Sequence, residues 1–218
     1  MKLHTINGFP GQVKTRFVEL VLTAARESGT SAEVWAFSGA EPAGLDLPCC
    51  SIPAAWAEPD ALRQHAASSR TADMALLMLP DDACDLRKRL IVPLEKDLQF
   101  ASHTFCVSDA WLRDWMLAEG TERQREFDYL TGKQLEEAGI LAIDCGSAGL
   151  PGPQQQSCKV MAAGRFPDKL IVPFNGQNLA SIKSWLAMVS GNIGIDLTAR
   201  KIALNDRLKS EPGQQPGK

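Results

Sequence analysis

Residues 8–15, near the start of the chain, carry the residue types of a phosphate-binding loop. The Walker A pattern has Gly, four free positions, a second Gly, Lys, and then Ser or Thr. Gly8, Lys14 and Thr15 fit this pattern, whereas Val13 stands where the second Gly belongs. In such a loop, backbone N–H groups surround the phosphates, the Lys is a cationic clamp and the hydroxyl binds Mg²⁺. Both side-chain roles are therefore present, and Val13 raises the question of whether the backbone cradle survives.

The segments around this loop provide the context that a phosphate site needs. Residues 3–6 are apolar and predict a strand, while residues 17–26 show an amphipathic pattern that predicts a helix. A helix that begins at the loop presents its N-terminal N–H groups to a phosphate.

The rest of the chain alternates between predicted strands and helices. Further strands are predicted at 32–37, 72–79, 103–107, 140–144 and 169–174. Further helices are predicted at 56–67, 111–118, 122–138, 179–189 and 202–208, with helical periodicity interrupted by Pro93 over 86–100. Loops are predicted at 40–53 and 145–158. This order predicts an α/β fold with a mostly parallel central sheet and helices on both faces, with the ligand at the carboxyl ends of the strands.

The composition is that of an ordinary globular domain. Of the 218 residues, 22% are charged and 44% are hydrophobic. Lys and Arg number 23 against 26 Asp and Glu, a net charge of −3, so there is no basic excess to favour a nucleic-acid partner. No apolar run approaches the roughly 20 residues of a membrane span. We therefore expect a cytoplasmic protein that binds neither nucleic acid nor membrane.

Two adjacent cysteines, Cys49 and Cys50, are candidate metal ligands in the predicted loop. Thiolates bind soft or borderline divalent metals such as Zn²⁺ or Co²⁺, but a closed zinc site normally needs four ligands. The pair would need His65, His103, another Cys or a second subunit to complete a site. A purely structural role for both cysteines is the alternative.

Several motifs occur in the order found in one known family. Residues 8–16 read Gly-Phe-Pro-Gly-Gln-Val-Lys-Thr-Arg, and Phe9 and Gly11 extend the agreement beyond the general Walker pattern. Later similarities lie at residues 47–50, 107–110, 133–138 and 166–176. In these features the chain resembles, over roughly residues 3–190, the CobW-like GTPases, a P-loop family linked to metal and cobalamin handling.

This resemblance implies a three-layer P-loop NTPase fold, with GTP and Mg²⁺ as cofactors. It implies a P-loop GTPase-like domain at 1–190 and a C-terminal helix and polar tail at 191–218, without the family's additional C-terminal domain. The implied nucleotide contacts are Gly8, Gly11, Gln12, Val13, Lys14, Thr15, Arg16 and Asp144. Thr15 would also bind Mg²⁺, Asp81 or Asp82 would be catalytic, and Cys49 with Cys50 would hold a delivered metal. The implied partner is a client metalloenzyme or cofactor-loading protein, and a homo- or heterodimer with an intact homologue is a further expectation.

The chain also departs from the family pattern. After the strand at 72–79 it reads Pro-Asp-Asp, so Asp81 or Asp82 could replace the family's acidic residue or could be solvated carboxylates at a helix start. The guanine-recognition motif Asn-Lys-x-Asp is reduced to Asp144, which could simply end a strand. Val13 could clash with phosphate or strain the backbone.

Three functions therefore remain open. One is a nucleotide-dependent accessory protein that helps to deliver a metal or corrinoid cofactor, or to mature a metalloenzyme. Another is a degenerate pseudo-GTPase that acts as a non-hydrolysing binding or scaffold subunit. A small kinase is a third interpretation, although the chain lacks an Arg-rich lid segment.

Overall fold

The central layer of the protein is a parallel β-sheet. A computed structural model describes residues 1–9, 12–42, 49–69, 72–117, 122–146, 152–176 and 179–190. Its strands are β1 (Lys2–Gly8), β2 (Ala32–Phe37), β3 (Cys49–Ile52), β4 (Met74–Met78), β5 (Gln99–Ser108), β6 (Ile140–Asp144) and β7 (Leu170–Phe174). They form one sheet in the order β3-β2-β4-β1-β5-β6-β7, and every pair runs parallel. The strand that leads into the loop, β1, is therefore central.

Helices cover both faces of this sheet. They are α1 (Gln12–Glu27), α2 (Pro59–Ser68), a π-helical turn (Arg87–Ile91) that continues into α3 (Val92–Leu94), α4 (Asp109–Leu117), α5 (Glu122–Glu137), α6 (Gly152–Arg165) and α7 (Ala180–Ser190). The α1 and α7 helices pack on one face, and the other helices pack on the opposite face. Across the described part of the chain, none of these helices is both long and apolar enough to cross a bilayer.

The apolar side chains of the strands alternate between the two faces, as strand geometry requires. In β4, Leu76 and Met78 belong to the core under α1 and α7, whereas Ala75 and Leu77 belong to the core under α2 and α3. A strand buried on both faces reads as a continuous apolar run, which is why the sequence predicted it well. The predicted three-layer α/β architecture is confirmed.

Two predicted loops contain regular structure. The loop predicted at 40–53 includes the edge strand Cys49–Ile52, and the loop predicted at 145–158 overlaps the first half of α6. The predicted helical region 86–100 ends early, because β5 begins at Gln99. The predicted helix at 202–208 and the polar tail lie outside the described residues.

A seam of buried polar side chains joins β1 to β5. The register of the two strands shifts between Leu3 and His4, and polar residues lie at this shift. His4 Nδ1 lies 2.9 Å from Ser102 Oγ, and His103 Nδ1 lies 2.8 Å from Thr5 Oγ1. Burial lowers the pKa of both imidazoles to about 4, so both are neutral at pH 7.

Candidate functional site

The loop begins where β1 comes into close contact with β5. Gly8 pairs with Cys106 in the sheet and has a φ of +151°. A Cβ atom at this position would lie 2.4 Å from the carbonyl oxygen of Cys106, so a side chain has no room. Gly8 is therefore the residue that allows the chain to leave the sheet here. The other predicted loop glycine, Gly11, lies outside the described residues.

The α1 helix begins at Gln12, and Val13 lies within its first turn. Gln12, the first helical residue, is exposed, and Val13 packs partly buried against the core under α1 and α7. Asp85 is the one non-glycine residue with a positive φ among the described residues, so Val13 carries no left-handed backbone strain. The expectation of backbone strain at Val13 is therefore not met. A clash between its side chain and a phosphate stays a prediction.

Lys14 is a buried cation paired with the loop that follows β4. It is 6% exposed, and its Nζ donates to Asp81 Oδ1 at 2.5 Å and to the Leu79 carbonyl at 3.0 Å. Burying an ammonium group is costly unless it is paired and hydrogen-bonded, and these two acceptors offset that cost. Of the two candidate carboxylates, the structure brings Asp81 to the predicted clamp. Asp82 is exposed at the surface beside it.

A second ion pair connects the N-terminal part of α1 to the end of β6. Arg16 donates from one guanidinium nitrogen to Asp144 Oδ2 at 2.5 Å, and the Gly146 N–H donates to Asp144 Oδ1 at 3.0 Å. Asp144 is only 4% exposed, so its carboxylate is engaged inside the protein. The predicted base-recognition carboxylate thus lies at the expected strand end but is bound to Arg16. Thr15 is buried in the same helical turn.

Two amides that the sequence analysis did not select hold this site together. Asn7 Nδ2 donates to the Ala83 carbonyl at 3.0 Å. Gln134 Nε2 donates to the same carbonyl at 2.9 Å and to the Asp81 carbonyl at 2.7 Å. Both amides are buried, and they fix the main chain of the segment that carries Asp81. The one available signal was a polar residue, Asn7, at the end of an otherwise apolar strand.

The side chains of the two cysteines do not converge on one point. Cys49 and Cys50 are consecutive residues of the edge strand β3, and consecutive strand side chains point to opposite faces. Cys49 accordingly packs against the core under α1 and α7, whereas Cys50 packs against the core under α2 and α3. Within the described residues no group of three or more His, Cys, Asp or Glu could hold a metal ion. The expectation of Zn²⁺ or Co²⁺ at this pair is therefore not supported by the described residues of this chain.

The predicted additional ligands are also engaged elsewhere. His103 lies in the central seam of the sheet with Thr5, and the His65 ring packs edge-on against Trp35 with their centroids 4.7 Å apart. Burial raises the pKa of the Cys49 thiol, aided by Cys50 and Glu41, which disfavours the thiolate that a metal requires. The contacts of the two histidines and the raised pKa of the Cys49 thiol are consistent with a structural role for the cysteines.

The parallel sheet, the close approach at Gly8 and the buried lysine at the start of α1 define a three-layer α/β fold of the P-loop class. No protein-family model matches the chain, and no curated protein matches it. Among solved structures, the chain is similar to an LAO/AO transport system kinase, with a TM-score of 0.56 and 10% identity over 97% of this chain and 68% of that one. It is also similar to the hydrogenase maturation factor HypB from Archaeoglobus fulgidus, with a TM-score of 0.49 and 15% identity over 87% of this chain and 88% of that one. At such identities the likeness concerns the fold alone.

Proposed function

We propose that the chain is a nucleotide-binding accessory protein of the GTPase type that assists cofactor delivery or the maturation of a metalloenzyme. The observation that carries this proposal is Lys14, a buried cation in the first turn of α1, beside the end of β4. Helix N-termini attract anions, and ligands of parallel sheets bind at the carboxyl ends of the strands. A phosphate group is the ligand that matches this combination.

The residues at this position fit a nucleotide with Mg²⁺. Lys14 and the first N–H groups of α1 would hold phosphate oxygens, and the Thr15 hydroxyl with the Asp81 carboxylate offers oxygen ligands of the kind that Mg²⁺ prefers. Bound Mg²⁺ would neutralise charge on the phosphates. Base selection has less support, because Asp144 is bound to Arg16. ATP therefore has to be tested beside GTP.

The accessory role in metal or corrinoid delivery is supported by the motifs shared with CobW-like GTPases. Since the side chains of Cys49 and Cys50 point to opposite faces of the sheet, we propose that the client or cofactor-loading partner holds the metal or corrinoid. The protein would then contribute a nucleotide-dependent interaction rather than metal ligands of its own.

A non-hydrolysing scaffold function is the second candidate. It is favoured by the ion pairs that both cations near the start of α1 already form within the protein, Lys14 with Asp81 and Arg16 with Asp144. A protein that never binds phosphate would keep these pairs permanently, and they would serve only to hold α1 against the sheet.

Titration calorimetry with GTP and with ATP, each with Mg²⁺, distinguishes the two functions. We expect the wild-type protein to bind one of them and Lys14→Ala to bind it at least about tenfold more weakly, because a charge-assisted contact is lost. Lys169→Ala is the matched control. Its side chain is as buried as that of Lys14 (5% against 7% exposed), but it lies at the opposite end of the sheet, at the start of β7.

The absence of wild-type binding at millimolar nucleotide would exclude the first function and leave the scaffold. Binding without release of inorganic phosphate over many hours would identify a pseudo-GTPase. An equal loss of affinity in both lysine variants would show that Lys14 acts only through stability.

A further inference from the structure

The Lys14 ammonium group donates two hydrogen bonds, and both acceptors lie in the segment that follows β4. An ammonium group has three N–H donors, and here Asp81 Oδ1 and the Leu79 carbonyl each accept from one. Lys14 is enclosed, with a side chain 7% exposed, whereas the Asp81 side chain is 43% exposed. The carboxylate therefore approaches the lysine from the solvent side.

The position of the Asp81 main chain does not depend on this ion pair. Gln134 in α5 holds the Asp81 and Ala83 carbonyls, and Asn7 holds the Ala83 carbonyl from β1. The same segment is attached to α5 once more, because Glu137 accepts from the Leu86 N–H at 3.2 Å. The Asp81 side chain can consequently rotate away from Lys14 while its backbone stays in place.

We infer that Asp81 determines the specificity of the proposed site, by making it select a Mg²⁺-bound nucleotide over a metal-free one. A carboxylate at hydrogen-bond distance from Lys14 occupies the position that a phosphate oxygen needs, so a metal-free nucleotide has to displace it. The Asp81 carboxylate is an oxygen ligand of the kind that Mg²⁺ prefers, so with a Mg²⁺-bound nucleotide it would leave Lys14 for the metal. Lys14 would then hold a phosphate oxygen in its place. This inference rests on the proposed nucleotide-binding function.

The experiment is calorimetry with GTP and with ATP on the full chain, each once with excess Mg²⁺ and once in EDTA. The quantity compared is the ratio of the dissociation constant in EDTA to that in Mg²⁺. For Asp81→Asn we expect metal-free affinity to rise about tenfold, because the competing charge is gone, and affinity in Mg²⁺ to stay equal or fall. The ratio should thus fall at least about tenfold.

Asp168→Asn is the matched control. Asp168 is also a half-exposed carboxylate, 46% exposed, beside a buried lysine, with its Oδ2 3.5 Å from Lys169 Nζ, but it precedes β7 at the other end of the sheet. Its substitution removes the same charge and should leave the ratio at the wild-type value. Asp81→Ser, measured in parallel, replaces Asp81→Asn if the asparagine variant lacks the wild-type circular dichroism spectrum.

The outcomes separate this inference from the function on which it rests. Wild-type and Asp81→Asn proteins that bind nucleotide with the same ratio would overturn the role of Asp81 and leave the proposed function intact. Binding of metal-free nucleotide by Asp81→Asn alone, beside binding of the Mg²⁺-bound nucleotide by the wild type, would support both. Failure of every protein to bind either nucleotide in either condition would overturn both together.

Discussion

Replacing Gly8 with alanine perturbs the contact between β1 and β5 from which the loop departs. The alanine Cβ would lie 2.4 Å from the Cys106 carbonyl oxygen, closer than the 3.0 Å below which real Cβ contacts essentially never occur. The opposing atom is backbone, and Cys106 is itself paired with both β1 and β6. The two strands would have to separate, because no side chain can move aside to relieve the contact.

Two terms determine the size of the effect. An alanine at a φ of +151° stores backbone strain of about 1–3 kcal/mol. Forcing an extra methyl group into a packed region costs about 1–3 kcal/mol more. We therefore expect Gly8→Ala to lower the free energy of unfolding by about 2–6 kcal/mol, which for a chain of this size lowers Tm by roughly 5–20 °C.

Urea unfolding, followed by circular dichroism and by tryptophan fluorescence, measures this loss. Gly29→Ala is the control for backbone strain alone, because Gly29 has a φ of +71° and no atom within 4 Å of an added Cβ. Its expected loss is about 1–2 kcal/mol. Gly132→Ala, within α5 and in open space, should instead stabilise the protein by about 0.5–1 kcal/mol. A loss at Gly8 no larger than that at Gly29 would refute the close approach of the two strands.

Three further predictions concern other parts of the molecule. The stability contributed by neutral His4 and His103 should be full above about pH 6.5 and decline as pH falls towards 4, because the folded state binds their protons less readily than the unfolded chain. The decline should reach up to about 1.4 kcal/mol per pH unit for each histidine. Urea midpoints across this range, with His4→Gln and His103→Gln for comparison, test it. Val13→Gly should lower the free energy of unfolding by about 1–2 kcal/mol, through lost packing and a glycine in a helix, which urea unfolding measures. If the predicted clash of Val13 with a phosphate occurs, calorimetry should show a gain in GTP affinity in the same variant. A Cys49→Ser, Cys50→Ser double variant should give the same zinc titration as the wild type, since the two side chains point to opposite faces.

The sequence predicted the elements whose pattern is set locally. The run at 72–79 and the alternating strands and helices around it follow from burial on both faces of a parallel sheet. The edge strand Cys49–Ile52 was missed because it has four residues and follows a segment rich in proline and glycine. The α6 helix was not predicted, and its first residues, Gly-Pro, indicate a loop, although proline is well tolerated in the first turn of a helix.

The contacts of the site depend on the tertiary fold and were beyond local reasoning. Lys14 and Asp81 are 67 positions apart in sequence, and Arg16 and Asp144 are 128 apart. The motif identified Lys14, but the order of the strands, with β4 beside β1, is what brings the segment that carries Asp81 to it. The same order assigns Asp144 to Arg16, which a search for a base-recognition motif could not anticipate.

The thiol of Cys106, a residue whose main chain contacts Gly8, can also report on local opening of the protein beneath the loop. Cys106 is wholly buried, and burial raises the pKa of its thiol far above the ordinary value. Thiol reagents attack the thiolate, so they modify Cys106 only while the core under α1 and α7 is open. In a variant whose more accessible cysteines are replaced, the rate of modification would measure the free energy of local opening beneath the loop. A ligand that closes the loop would slow this reaction in proportion to its occupancy, without any added label.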